Sequence, residues 1–155
     1  MIRAGYNRIR SVEAKDTYHS ENLKKFESAM AVQLYFGMSK DKFLEMLSDI
    51  DYPCVFFLDA HVSGPNSAGH EDYTEKGNAS EYAQDNCLTA ELAIVLAHRN
   101  DHVIIIDDQN GENPENIKYR EACIAANPSY QFFFYDEHRD GGTHYKNKSI
   151  VCIPR

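Results

Sequence analysis

Acidic residues follow two of the most apolar segments of the chain. Asp59 comes directly after Cys54-Val55-Phe56-Phe57-Leu58, and Asp107 and Asp108 come directly after Val103-Ile104-Ile105-Ile106. Short continuous apolar runs are typical of parallel strands covered on both faces, and the carboxyl ends of such strands meet at one edge of a sheet. Carboxylates gathered at that edge could bind Mg²⁺, which polarises a substrate hydroxyl and promotes its deprotonation.

Each of these residues also has a structural alternative. Aspartates at strand ends often cap the following helix or accept hydrogen bonds from loop amides. His61 lies two residues beyond Asp59; it could be a general base or a third metal ligand, and it could equally anchor a loop. Glu13 ends another predicted strand, where an acid can accept both hydroxyls of a ribose, but it could also be a solvated acid beside Lys15.

Hydrophobic periodicity places these residues on alternating strands and helices. The predicted strands are residues 8–14, 31–36, 54–58, 103–106, 130–135 and 149–153. The predicted helices are residues 20–26, a segment capped by Ser39 with Phe43, Leu44 and Leu47 on one face, residues 85–98, and Pro114 to about Asn127.

This order predicts an α/β fold, a doubly wound, mostly parallel, Rossmann-like sheet with helices on both faces. Strands 54–58 and 103–106 should be central neighbours. A turn at Asp140-Gly141-Gly142 leaves no room for a helix, so strands 130–135 and 149–153 should form a C-terminal antiparallel hairpin at one edge.

The composition restricts the classes of function. The 155 residues suit a single domain over 1–155, and the formal net charge of −8 disfavours non-specific binding to nucleic acid or anionic lipid. No apolar run could span a bilayer and residues 1–8 lack signal-peptide features, so we expect a cytoplasmic protein.

The four cysteines form no C-x-x-C pair and are expected to be free thiols, buried at Cys54 and Cys152. Residues 62–80 lack periodicity and predict a long functional loop.

Four strand-end motifs resemble those of the class I S-adenosylmethionine-dependent methyltransferases. They are Arg10-Ser11-Val12-Glu13, Phe36-Gly37-Met38-Ser39, Phe56-Phe57-Leu58-Asp59-Ala60-His61 and Ile104-Ile105-Ile106-Asp107-Asp108. The resemblance implies that Glu13 holds the cofactor ribose, that Met38 and Ser39 contact the adenine, and that Asp59 lies near the methionine moiety.

Within that family, the pattern is most similar to the metal-dependent O-methyltransferases that act on catechols and sugars. The resemblance implies that Asp59, Asp107 and Asp108 hold Mg²⁺. One departure is large: Gly5 is the only glycine before Gly37, and the chain has no G-x-G motif. The family's first strand and glycine-rich turn are therefore missing, as in a truncated or degenerate domain.

That first strand lies in mid-sheet in the family. Its loss must leave a gap that the sheet closes, fills with a strand from another chain, or leaves with unpaired backbone groups.

Three functions follow as hypotheses. The first is methyl transfer to a hydroxyl of a small molecule or sugar, with Asp59 and His61 as catalytic residues and Mg²⁺ assistance. The second is a non-catalytic remnant that acts through a partner. The third is a metal-dependent hydrolase or sugar-nucleotide enzyme.

The partners expected on this basis are a small-molecule or sugar acceptor, with no nucleic acid and no membrane. A homo-oligomer or a partner chain that completes the sheet is also expected.

Overall fold

A computed structural model describes residues 7–59, 84–107, 114–139 and 143–155. Strands and helices alternate along this part of the chain until a closing pair of strands, which confirms the predicted α/β class. In order, the elements are β1 (Ile9–Glu13), α1 (Asp16–Lys25), β2 (Val32–Phe36), α2 (Ser39–Leu47), β3 (Val55–Leu58), α3 (Gln84–Leu96), β4 (Val103–Ile106), α4 (Pro114–Ala126), β5 (Gln131–Arg139) and β6 (Thr143–Ile153).

The described residues fall into two compact units, each of which has its own sheet. Residues 7–49 and 84–87 belong to the first unit, and residues 50–59, 88–107, 114–139 and 143–155 belong to the second. The single domain over 1–155 stays a prediction. Among the described residues, no helix combines the length and the hydropathy that crossing a membrane requires.

In the first unit, β1 pairs with β2 in parallel, from Ile9 opposite Val32 to Glu13 opposite Phe36. A parallel pair needs a crossover connection, which α1 supplies. Arg10 on β1 forms two hydrogen bonds of 2.6 and 2.7 Å with the carboxylate of Asp49, and its guanidinium also donates to the Met46 carbonyl. The guanidinium hydrogen bond lowers the pKa of Asp49. Arg10 therefore fastens β1 to the carboxyl end of α2.

Helix α2 begins differently from the prediction. The predicted cap, Ser39, is the first residue of the helix, and Met38 occupies the N-cap position. The Met38 side chain makes no capping hydrogen bond. The Met38 carbonyl accepts from the amides of Asp41 and Lys42, at 3.0 and 3.1 Å. The buried face consists of Phe43, Met46 and Leu47. The predicted member Leu44 is exposed, because it lies about 100° around the helix from Phe43.

In the second unit, four strands lie in the order β3-β4-β6-β5. Strands β3 and β4 are parallel, β6 is antiparallel to β4, and β5 is antiparallel to β6. These pairings confirm β3 and β4 as neighbours and β5 and β6 as an antiparallel pair at one edge. Strand β3 ends the described sheet rather than lying at its centre. The predicted turn at Gly141 and Gly142 lies outside the described residues.

The core of the second unit lies on one face of this sheet. Ile104, Ile106, Ile150 and Cys152 are all 0% exposed. Helices α3 and α4 supply further buried side chains, namely Leu88, Leu92, Val95, Tyr119 and Cys123. The opposite face carries exposed side chains on β3 and β5. Within the part of the chain that the structure describes, Val55 and Phe57 on β3 are 44% and 47% exposed, so the layer predicted to cover the second face of β3 is not seen there.

A buried histidine joins β3 to β4. His102, immediately before β4, is 0% exposed, and its Nδ1 accepts from the Cys54 amide at 3.0 Å. Its only proton is therefore on Nε2, which lies 2.9 Å from Nδ1 of His98 and donates to it. The Tyr130 hydroxyl donates to the His102 carbonyl at 2.9 Å, and burial raises the pKa of Tyr130 to about 12.

The cysteines form no disulfide, as predicted, and Cys152 is buried whereas Cys54 is half-buried. Cys123 on α4 and Cys152 on β6 are both 0% exposed, and their thiols are hydrogen-bonded to each other. This hydrogen bond, together with burial, raises the pKa of Cys152. Helix α4 therefore packs directly on the buried face of β6.

Candidate functional site

The carboxyl edge of the first unit brings together three of the four residues predicted to contact the cofactor, and the fourth, Asp59, belongs to the second unit. Glu13 ends β1, and Met38 and Ser39 follow β2 directly. Because the strands are parallel and in register, Glu13 lies opposite Phe36, and the Gly37 amide donates to the Glu13 carbonyl at 3.1 Å. The turn after β2 is thus fastened to the end of β1.

The Glu13 carboxylate also stabilises its own loop. Its Oε1 accepts from the Lys15 amide at 2.8 Å, which orients the entrance to α1. A carboxylate has about four acceptor positions, so this bond leaves capacity for a pair of ligand hydroxyls. The structural and the ligand-binding interpretations of Glu13 are therefore compatible.

Gly37 gives the turn its shape. Its φ of +135° lies in a region that L side chains rarely adopt, and a Cβ placed there would lie 3.2 Å from Cε of Lys42. The motif Phe36-Gly37-Met38-Ser39 contained the signal for a tight turn, but not the sign of φ.

Replacing Gly37 by alanine should lower the free energy of unfolding by about 1–3 kcal/mol, because a non-glycine residue is strained at this φ. Urea denaturation followed by circular dichroism measures the loss. The double variant Gly37→Ala/Lys42→Ala separates two causes: backbone strain predicts no recovery, whereas recovery would implicate the Lys42 side chain. Unchanged stability in Gly37→Ala would contradict the importance of this turn.

The second unit contains a separate carboxyl edge with acidic residues. Asp59 follows β3 and is exposed, and Asp107 follows β4 and is half-buried. The Asp107 amide donates to the Leu58 carbonyl at 3.0 Å, which extends the β3 and β4 pairing by one step. Asp59 and Asp107 are therefore neighbours in the sheet register, as predicted.

Asp107 has a protein partner that the sequence did not indicate. The Ser149 hydroxyl donates to Oδ1 of Asp107 at 2.6 Å. Ser149 lies on β6, 42 residues away along the chain, and only the β4 and β6 register brings the two together. This hydrogen bond is the kind of structural role that aspartates at strand ends often have.

The predicted three-acid Mg²⁺ site does not appear among the described residues. In residues 7–59, 84–107, 114–139 and 143–155, no group of three or more histidine, cysteine, aspartate or glutamate side chains is arranged to hold a metal ion. Asp108 and His61, together with the predicted loop over 62–80, lie outside the described residues. The metal-binding role of Asp59, Asp107 and Asp108 therefore stays a prediction.

Comparison with solved structures gives a similarity in fold at low sequence identity. No family model and no curated protein matches the chain. The chain is similar to a crystal structure described as "putative rRNA-methylase from Clostridium thermocellum", with a TM-score of 0.44 and 14% sequence identity over 95% of this chain and 74% of that one. A similarity at this level assigns neither a family nor an activity to this chain.

The prediction that nucleic acid is not a partner is contradicted by this comparison, because the similar protein is named for an action on rRNA. The prediction rested on the net charge of −8. Net charge is a sum over the whole chain, whereas contacts to phosphates depend on where basic side chains lie on the surface. The sum alone does not exclude nucleic acid.

Proposed function

We propose that this chain is a methyltransferase-type domain that binds S-adenosylmethionine and transfers its methyl group to a hydroxyl of a small molecule or sugar. The observation that carries the proposal is the hydrogen bond from the Gly37 amide to the Glu13 carbonyl, which holds the Gly37 turn beside Glu13 at the carboxyl edge of β1 and β2. Ligands of parallel α/β sheets bind at this edge. When bound, S-adenosylmethionine supplies an electrophilic methyl group.

The residues of the first unit suit the adenosine part of that ligand. Glu13 offers carboxylate oxygens to the two ribose hydroxyls, and charge-assisted hydrogen bonds of this kind are the stronger ones. The left-handed Gly37 turn directs the chain into Met38 and Ser39, at the start of α2. Without a Cβ at Gly37, a flat base can approach the backbone of this turn closely.

In the second unit, we assign the chemistry of the acceptor to the carboxyl edge of β3. Asp59 is exposed there and can accept a proton from an acceptor hydroxyl. His61, two residues further along the chain, is the alternative base in this proposal. Asp107 is already hydrogen-bonded to Ser149, so we give it a positioning role and derive no step through a metal ion.

A non-catalytic remnant is the second candidate function. Two observations favour it: the described strands form two sheets instead of one, and the chain has no G-x-G motif for the usual phosphate- and cofactor-binding turn. A remnant of this kind would keep the fold and lose the ligand. Binding of S-adenosylhomocysteine therefore distinguishes the two candidates.

The Glu13→Ala variant should bind S-adenosylhomocysteine with a free energy weaker by about 1–3 kcal/mol, the usual loss for a hydrogen bond to a charged group. Isothermal titration calorimetry measures the effect, with Glu21→Ala as the matched control, because Glu21 is an exposed acid on α1. Circular dichroism checks that both variants remain folded. The control should bind like the wild type.

Two results would overturn the proposal. If the wild type does not bind S-adenosylhomocysteine, the remnant interpretation holds. If it binds and Glu13→Ala binds equally well, the ligand lies elsewhere than the β1 and β2 edge.

A further inference from the structure

One face of the four-stranded sheet in the second unit exposes large apolar side chains. Phe57, Ile105, Val151 and Phe133 are successive cross-strand partners, so they form one continuous row across β3, β4, β6 and β5. Val55 lies two residues before Phe57, and Tyr135 lies two residues after Phe133, on the same face. We call these six residues the open face.

The exposure of the open face contrasts with the face behind it. Val55, Phe57, Phe133 and Tyr135 are 44%, 47%, 45% and 58% exposed, whereas the side chains that point the other way on β4 and β6 are completely buried. The three aromatic side chains alone leave on the order of 300 Å² accessible. Contiguous apolar patches of this size often mark interaction sites.

The open face becomes acidic at one end. Asp59 and Asp107 follow β3 and β4 at the carboxyl edge, and Ser149, the partner of Asp107, lies opposite Tyr135 on β5. The chain as a whole carries a net charge of −8. A partner that complements this surface therefore needs an apolar centre and positive charge at one end.

We propose that the open face docks an amphipathic helix of another protein, with an apolar stripe on the row of Phe57 and Phe133 and with lysine or arginine residues beside Asp59 and Asp107. Four strands at about 4.8 Å spacing span about 14 Å, and a helix with its side chains is about 10 Å wide, so one helix covers most of the row. This inference does not depend on the proposed methyl transfer.

Single-stranded RNA is the other chemistry that such a face could attract, because bases stack on exposed aromatic side chains. The carboxylates at the end of the row oppose it, since they repel the phosphates that supply most of the affinity for nucleic acid. The charge pattern therefore favours a basic helix over RNA.

The test uses three fluorescently labelled synthetic peptides long enough for about four helical turns. The first has a leucine stripe and lysines in its last turn. The second has the same stripe with glutamates in that turn, and the third has serines in place of the leucines. In fluorescence anisotropy with the full chain, the first should bind saturably, and each of the others at least about tenfold more weakly.

Variants of the protein locate the binding. Phe133→Ser and Phe57→Ser should each lower the affinity for the lysine-ended peptide by about tenfold or more, because both remove apolar contact area from the row. The matched controls are Ile117→Ser and Ile124→Ser on α4, which replace similarly exposed apolar side chains outside the open face. If Phe57→Ser fails to fold by circular dichroism, Tyr135→Ser, at the most exposed aromatic of the face, takes its place.

Any of three results overturns the proposal. The first is that the lysine-ended peptide does not bind saturably, or binds no better than the glutamate-ended one. The second is that a single-stranded RNA oligonucleotide binds to the wild type and not to Phe133→Ser, while none of the peptides binds. The third is that sedimentation shows a dimer that Phe133→Ser dissociates, because a second copy then covers the face.

Discussion

Ile104→Ala should lower the free energy of unfolding by about 2–5 kcal/mol, whereas Ile105→Ala should lower it by only about 1 kcal/mol. Ile104 is completely buried, and its neighbour Ile105 is half-buried on the open face. The first change leaves a cavity in the core between the sheet and its helices. The second removes a side chain that keeps contact with water.

Urea denaturation of both variants measures this difference, with circular dichroism as the probe. Because Ile104→Ala could leave little folded protein, the pair Ile104→Val and Ile105→Val provides a milder comparison, with an expected loss of about 0.5–1.5 kcal/mol at Ile104 and less at Ile105. Equal losses at the two positions would mean that the sheet is covered on both faces.

Acid should destabilise the protein through His102. Burial, followed by the nearby His98, lowers the pKa of His102 from 6.5 to about 4. Between these values, the unfolded chain binds a proton that the folded chain does not, so stability falls as the pH falls. The contribution of His102 is complete above about pH 6.5, and roughly 2–3 kcal/mol is lost on the way to about pH 4.

Urea unfolding at a series of pH values measures this slope, and His102→Gln is the variant that removes it. Glutamine keeps a polar side chain at the position but does not titrate. His19→Gln on α1 is the control, because that histidine lies in the first unit. If the wild type and His102→Gln show the same pH dependence over this range, His102 is not the group responsible.

The order of the elements and most of their bounds could be predicted from the sequence. Strands β1 and β4 and helix α4 follow from local hydrophobic periodicity and from Pro114 at a helix start. The single-sided core could not be predicted, because a continuous apolar run such as Val55-Phe56-Phe57-Leu58 has the same appearance whether one face or both are covered.

The candidate sites divide in the same way. The grouping of Glu13 with Met38 and Ser39 was predictable, since parallel strands bring their carboxyl ends to one edge. The hydrogen bond between Ser149 and Asp107 depends on the register of β4 and β6, which is set by packing between distant segments. The N-cap of α2 at Met38 was missed because a serine in the first turn resembles an N-cap in sequence.

The buried thiols of Cys123 and Cys152 can be used to measure local opening of the second unit. The chain has no tryptophan, so the fluorescence signal most often used to follow unfolding is absent. Cys123 and Cys152 are free and completely inaccessible, so an alkylating reagent can reach them only when α4 separates from β6. The rate at which Cys123 and Cys152 are alkylated in native buffer, followed by mass spectrometry, therefore reports how often α4 separates from β6. The half-buried Cys54 and Cys87 serve as internal references.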